Sequence, residues 1–292
     1  MIKAGFSPGQ SAGICAVSAA GGILSLPIMG LAAYIIPELL GISFDVFARA
    51  AIPYALSFYV CIFIAVILAS IPQNISSLRK DQLPDINDAL SGYLHLLIPI
   101  ISLIILLMAV RPLANAIFLS LVILIAVSSL REETRLTMDK AAGALVDGMK
   151  DAIPIALACA ATGLIIGVFA LTGLGLMAAS WFMGFAGNSV FILFAIAMLV
   201  SVVLGLILPA IAVAALSGML IAPALVMLGV HPLPVWVFIF YCSVFSYISP
   251  IARTITDAAE IGSTDSKKAS IAAWGYGALA LLVPVIILTM GN

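Results

Sequence analysis

Apolar residues run along this chain with few interruptions, and the interruptions define its organisation. From residue 10 to 42 the apolar run is broken by Gly13, Gly21, Gly22, Ser25, Pro27, Gly30 and Pro37. One straight span cannot hold there, because proline removes a helical donor and glycine admits unusual backbone angles. The pattern predicts a re-entrant helical hairpin over 10–42 whose short arms meet near residues 21–27. Clean apolar spans follow at about 47–71, 93–110 and 113–130. The last two are separated only by Arg111 and Pro112, which makes them an antiparallel pair. Arg79, Lys80, Asp81, Asp85 and Asp88 mark a wet stretch between the first and second spans.

From 131 to 151 charges return every few residues, while Leu136, Ala141, Ala142, Leu145, Val146 and Met149 recur at helical spacing. One apolar and one charged face predict an amphipathic arm lying along the interface. Between Asp151 and Arg253 no charged residue occurs. That block holds a span near 152–171, a break at Gly173 and Gly175, a shorter apolar piece ending at Gly187 and Asn188, and a span to about Leu206. A second interrupted segment, 205–230, is divided by Gly205, Pro209, Gly218, Pro223 and Gly229 into two short arms. A helix over 235–262 is broken at Ser249 and Pro250, and a terminal span covers about 269–290. The expectation is an all-α polytopic membrane protein with about seven transmembrane helices, two re-entrant hairpins of opposite orientation and an interfacial arm. Its parts are 1–130, with the first hairpin and three spans, the arm 131–151, and 152–292 with the second hairpin, the broken helix and the terminal span.

Composition narrows the class. The 292 residues include only 12 Lys+Arg and 13 Asp+Glu, 64% are hydrophobic and 9% charged, and mean hydropathy is +1.29. A water-soluble domain takes roughly a quarter of its residues from the charged set, so the solvent here is lipid. A net charge of −1 without a basic run points away from nucleic acid. Cys15, Cys61, Cys159 and Cys242 lie far apart without CxxC spacing and read as small hydrophobes. His95 and His231 sit at predicted span ends without a second ligand at metal spacing, so no metal site is expected. A membrane-embedded hydrolase is the alternative from another class, and two separated histidines and the absence of HExxH argue against it. Trp181, Trp236 and Trp274 fall near span ends, where tryptophan anchors membrane helices.

The chemistry concentrates at the breaks. In hydrocarbon an unpaired backbone group costs several kcal/mol, so irregular backbone persists only when buried in protein or lining a wet cavity. The two interrupted segments also share words in the same order. The first reads Pro27, Ile35-Ile36-Pro37, Leu40-Gly41-Ile42 and Phe58-Tyr59-Val60-Cys61; the second reads Pro209, Ile221-Ala222-Pro223, Leu228-Gly229-Val230 and Phe240-Tyr241-Cys242. Paired broken segments entering from opposite sides point to a secondary transporter with a midplane site. Oxygens at Ser18, Gly21, Gly22, Ser25, Gly205, Pro209, Ser246 and Ser249 are the candidate ion ligands, by hydroxyl or by unwound carbonyl. The bland reading is that a membrane serine bonds its own helix. After the break at Pro250, Arg253 offers a fork of donors to a substrate carboxylate, with Ser249, Thr254 and Thr256 nearby and Asp257 one turn on. The competing reading places Arg253 and Asp257 at the interface as a solvated pair worth little.

Several words resemble the membrane component of tripartite ATP-independent periplasmic (TRAP) transporters, of the TAXI type with a fused permease. They are residues 158–168 (ACAATGLIIGV), 171–175 (LTGLG), 221–226 (IAPALV) with 228–230 (LGV), and 238–241 (FIFY). Residues 4–8 (AGFSP) and Gly21-Gly22 followed by 27–30 (PIMG) also fit. The resemblance implies Na⁺-driven uptake of small organic acids across a bacterial inner membrane, with no cofactor beyond the coupling ion. A periplasmic substrate-binding protein would deliver the carboxylate, and an elevator-like transport domain would move against a scaffold. It further implies that a second polypeptide supplies the N-terminal scaffold and small-subunit part, or that this chain is the C-terminal half of a longer permease. By position, Gly21, Gly22 and Pro27 become one hairpin tip, Gly205 and Pro209 the other, and Ser249-Pro250 stands where the family has Thr-Pro-Pro. Ala19-Ala20, Ile23 and Ala210 stand where the family carries hydroxyl or amide side chains, while Arg253 and Asp257 stand where it is small and apolar. These departures keep open a non-transporting or degenerate partner of such a permease. The count of Lys and Arg near span ends puts the arm in the cytoplasm, whereas the resemblance puts it outside. Reporter fusions at residue 140 discriminate the two: cytoplasmic reporter activity is the outcome expected from the charge count.

Overall fold

The computed structural model describes residues 1–26, 28–71, 95, 97–109, 113–130 and 134–290. Every regular element among them is helical, with no strand. The chain divides into two compact units, residues 77–157 and residues 1–76 with 158–292.

The smaller unit holds α4 (Leu97–Ala109) and α5 (Leu113–Ser128), which pack against each other. Arg111 and Pro112, the expected link of this pair, lie outside the described residues, as do Arg79, Lys80, Asp81, Asp85 and Asp88. Thr134 Oγ1 donates to the Ser128 carbonyl at 3.0 Å and lies 3.1 Å from His95 Nε2. Its one proton is committed, so the imidazole Nε2–H is the donor.

The expected arm and the span after it form one helix, α6 (Met138–Thr172), which begins in the smaller unit and ends in the larger. Pro154 lies inside this helix, where it removes the bond to the Lys150 carbonyl without ending the element. The Lys150–Asp147 ion pair, at 3.5 Å between exposed side chains, adds little.

The larger unit is built around α1 (Pro8–Gly21), α2 (Ala32–Leu40), α3 (Phe44–Ser70), α7 (Leu174–Ala186), α8 (Val190–Gly205), α9 (Ala210–Met227), α10 (Pro232–Ser243), α11 (Arg253–Ile261) and α12 (Ser266–Met290). A capping box starts α1: Gln10 N–H donates to Ser7 Oγ at 3.3 Å, and Ser7 N–H donates to Gln10 Oε1 at 3.1 Å. α1 then lies along α12, and Gly13 sets their separation. A Cβ at Gly13 would stand 2.7 Å from Ala272 Cβ and 2.8 Å from the Ala269 carbonyl oxygen. Small residues permit this approach, which is how helices gain dispersion contacts when lipid is as apolar as they are. α2 ends at Gly41, whose φ of 66° is left-handed.

By length and composition, four helical stretches among the described residues are long and apolar enough to cross a membrane: Phe44–Ser70, Met138–Thr172, Ala210–Met227 and Pro232–Ile261. α7 and α8 reach that length only together, and the chain bends by 120° between them, where Gly187 and Asn188 adopt φ of 57° and 60°. About seven was the expectation from sequence; α4 and α5, at 13 and 16 residues, are shorter than the ~20 a span requires. Ala210–Met227 and Pro232–Ile261 are each 72% buried, whereas the apolar window of α6 is 6% buried. The former pair is therefore interior, and the latter faces whatever surrounds the protein.

The second interrupted segment differs from its expected form. Gly218 and Pro223 do not divide 205–230 into two arms; α9 runs through both, and the break falls at residues 206–209. Gly218 answers a packing demand, since a Cβ there would sit 2.3 Å from the Trp236 ring. Trp236 and Trp274 are accordingly packed inward, Trp274 with its ring 5.8 Å from Phe245, while Trp181 is exposed as an anchor should be.

The repeated words meet in space. Phe58 lies 6.0 Å from both Tyr241 and Phe245, Tyr54 lies 5.9 Å from Tyr241, and Phe47 lies 5.6 Å from Phe240. Tyr241 Oη donates to the Ala280 carbonyl at 2.6 Å. That carbonyl lacks its helical donor because Pro284 occupies the position four residues on. The tyrosine thus fills the gap the proline makes.

Gly13→Ala is expected to destabilise the protein by about 1–3 kcal/mol, because the surrounding atoms belong to a helix backbone and cannot yield. Gly22→Ala, where nothing lies within 4 Å, is expected to be neutral. Thermal unfolding of the two variants in detergent measures the difference.

Candidate functional site: three backbone breaks

Between α10 and α11 the chain narrows to a 3-10 turn, Val244–Ile248, and then extends at Ser249 with φ −62° and ψ 147°. This frees a row of carbonyls, and hydroxyls occupy them. The Ile248 carbonyl accepts from Ser270 Oγ of α12 at 2.6 Å, and the Tyr247 carbonyl accepts from Thr254 Oγ1. Pro250 cannot donate to the Ser246 carbonyl, which instead accepts from Ser249 N–H at 3.2 Å. Ser249 is 1% exposed. Its Oγ donates to the Leu206 carbonyl at 2.9 Å and accepts from Ile251 N–H at 3.4 Å.

Leu206 belongs to the second break. α8 ends at Gly205, where a Cβ would stand 3.2 Å from Ser246 Cβ, so the helix end rests on the 3-10 turn. Pro209, with φ −62° and ψ 151°, caps α9, and its carbonyl accepts from Ala212 and Val213 N–H at 2.9 and 3.1 Å. Gly205, Pro209, Ser246 and Ser249 are therefore brought to the two adjoining breaks.

The first break follows α1. A short 3-10 turn, Gly22–Leu24, leads into a loop closed by Gly30 N–H donating to the Ile23 carbonyl at 2.9 Å. Gly21 lies beneath aromatic rings: its Cβ would be 2.7 Å from Phe58 Cε1 and 2.9 Å from Tyr59 Cζ. Ser25 Oγ donates to the Gly21 carbonyl at 3.1 Å and lies 3.3 Å from Tyr59 Oη. Ser18 is partly exposed on α1, Gly22 is exposed, and Pro27 lies outside the described residues. This break reaches the others through packing. Phe58 covers Gly21 and meets Phe245, and Gly277 of α12 is wedged against Val17, Phe245 and Ile248, a Cβ there standing 3.5, 3.3 and 3.4 Å away.

The proposed carboxylate-binding residues are not gathered with the serines. α11 buries Ile255 and Ala259, and it exposes Arg253, Thr256 and Asp257. Thr256 Oγ1 donates to the Arg253 carbonyl at 2.9 Å, and Thr254 serves the Tyr247 carbonyl. The buried polar set of the breaks is consequently neutral, made of hydroxyls and carbonyls. No cluster of three His, Cys, Asp or Glu side chains with metal-ligand geometry occurs among the described residues. His231 caps α10, its Nδ1 accepting from Leu233 N–H at 3.2 Å.

Sequence reasoning missed Ser270, Tyr59 and Ser201. Ser270 carried a readable signal, as an isolated hydroxyl at the start of an apolar span. Ser201 and Ser217 are fully buried on α8 and α9, and their hydroxyls have no partner among the described residues.

A polytopic helical bundle in which interior spans are interrupted, and the interruptions are held by hydroxyls, defines a membrane protein of the transporter class. The chain belongs to the family of the tripartite ATP-independent periplasmic transporter, DctM component, whose sequence pattern matches residues 1–291. Members are large permease components of the inner membrane, transporters rather than enzymes, and they work with a periplasmic binding protein and a small subunit. No curated protein matches the chain.

Ser249→Ala is expected to cost about 1–3 kcal/mol, since it leaves the Leu206 carbonyl without its side-chain donor in an apolar interior. Thermal unfolding in detergent reads this, and Ser249→Thr should recover most of the loss.

Proposed function

We propose that this chain is the transport-domain part of a Na⁺-coupled, TAXI-type TRAP permease that imports a small organic acid by elevator-like alternating access. One observation carries the reading: Ser249 ties two backbone breaks together inside the most buried part of the bundle. Irregular backbone at that depth is consistent with a polar chamber. In this reading α1 and α2 form the arms of one re-entrant hairpin and α8 and α9 those of the other. Oxygens of Gly21, Ser25, Gly205, Ser246 and Ser249, with Ser18, Gly22 and Pro209 at the margins, serve the coupling ion. Arg253 at the start of α11 receives the substrate carboxylate, Thr254 and Thr256 flank it, and Asp257 tunes it. The periplasmic binding protein delivers the acid, and a partner polypeptide carrying scaffold and small-subunit parts completes the bacterial inner-membrane assembly.

A second reading has one observation in its favour. Carbonyls at all three breaks are already occupied by protein hydroxyls, and Ala19, Ala20, Ile23 and Ala210 offer no side-chain oxygen. That arrangement suits a non-transporting partner of a permease.

Reconstitution with the binding protein and partner polypeptide separates the two. Uptake of radiolabelled acids is expected only with an inward Na⁺ gradient. Arg253→Ala is expected to reduce it by at least tenfold with insertion unchanged, and Arg253→Lys to restore part, because one point charge replaces a bidentate fork. Equal uptake with and without Na⁺ removes the coupling, and no uptake with a correctly assembled complex favours the second reading.

A further inference from the structure

The hydroxyl that fastens the first break has a second hydroxyl behind it. Ser25 Oγ has one proton, and the Gly21 carbonyl, 3.1 Å away, takes it. Tyr59 Oη, 3.3 Å from Ser25 Oγ, is then the donor of that contact, so the bonds run in one direction, from Tyr59 through Ser25 to Gly21. A hydroxyl that accepts one bond donates a stronger one, and the two bonds support each other. No other hydrogen bond of Tyr59 occurs among the described residues.

Two neighbouring rings close over the same glycine, Phe58 and Tyr59, and they are held very differently. Phe58 is 1% exposed and meets Tyr241 and Phe245 in the core. Tyr59 is 38% exposed, and its ring contact is with Phe58 itself, edge-on at 5.9 Å. Leu56, Val60 and Phe63, its neighbours along α3, are exposed as well. Tyr59 therefore leaves by rotation about its own side-chain bonds, which is fast for an exposed residue, whereas Phe58 moves only if the core opens. The fastenings of the other two breaks lie inside, with Ser249 and Ser270 both buried. Behind Tyr59 the turn after α1 is closed by backbone bonds alone: Ser25 N–H on the Gly22 carbonyl at 3.1 Å, Met29 N–H on the Ser25 carbonyl at 3.2 Å and Gly30 N–H on the Ile23 carbonyl at 2.9 Å.

We propose that Tyr59 is a latch on the first break. Closed, its hydroxyl keeps the Ser25 proton on the Gly21 carbonyl and its ring covers the glycine. Swung out, it weakens the Ser25–Gly21 bond and lets the turn after α1 open locally while the core stays packed. The latch is a property of this turn and holds whatever the protein carries.

Hydrogen–deuterium exchange of the full chain in detergent micelles tests it, read at the Ser25, Met29 and Gly30 amides that close the turn. Tyr59→Phe keeps the ring and removes the donor. Exchange at these amides is expected to rise about fivefold, the worth of one hydrogen bond, with exchange along α1 and α3 and the Tm both unchanged. In Ser25→Ala the run of bonds is already cut, so adding Tyr59→Phe is expected to change nothing further. Val60→Ala, an exposed neighbour without a bond to the turn, is expected to leave exchange as it is. Three results overturn the proposal: exchange unaltered by Tyr59→Phe, the same rise when Tyr59→Phe is added to Ser25→Ala, or a rise spread over α1 and α3 with a lowered Tm. A rise in Val60→Ala equal to that in Tyr59→Phe overturns it as well.

Discussion

A hydroxyl donated to a carbonyl that has lost its helical partner is the interaction on which this structure depends. It recurs at Ser249 on Leu206, Ser270 on Ile248, Thr254 on Tyr247 and Tyr241 on Ala280. Each bond in water would be worth little, because solvent competes for both ends. In hydrocarbon the alternative is an unpaired group at several kcal/mol. Four such repairs let the bundle carry interrupted spans at its centre without melting, and they choose which elements are fixed to which. Ser249 joins α8 to the broken helix, and Ser270 joins the broken helix to α12.

Aromatic packing supplies the second level of order. Phe58, Tyr54, Tyr241 and Phe245 form a continuous cluster between α3 and the broken helix. Offset and edge-on ring pairs add about 0.5–1.5 kcal/mol each beyond the area they bury. The cluster also covers Gly21, so the first break is held by rings as well as by the Ser25 hydroxyl on the Gly21 carbonyl.

Much of the fold was legible in the pattern of apolar runs. Gly21 and Gly22, Gly187 with Asn188, Gly205 to Pro209, and Ser249-Pro250 all mark real interruptions. Gly218 and Pro223 misled, because a glycine demanded by a neighbouring tryptophan and a proline tolerated within a helix look the same in sequence as a turn. The boundary expected between arm and span was also absent, since a change from charged to apolar surface alters a helix's environment without ending its hydrogen bonding. At the site, the serines were readable from their proximity to the breaks. Their partners were not: Leu206 accepts through its backbone, and Ser270 comes from a distant helix. Arg253 and Asp257 were legible as a pair on one helix, but helical spacing does not reveal which face the rest of the bundle will cover.

The close approach of α1 to α12 has a bearing on how the protein is made. Gly13 emerges from the ribosome about 260 residues before the alanines it packs against. At roughly 5–20 residues per second, that interval is on the order of tens of seconds. Throughout it the first arm lacks the neighbour that fills its small-residue face, whereas the Ile248 carbonyl, made only 22 residues before Ser270, waits about 1–4 s. The packing of α1 on α12 can therefore form only after nearly all the other helices have been made.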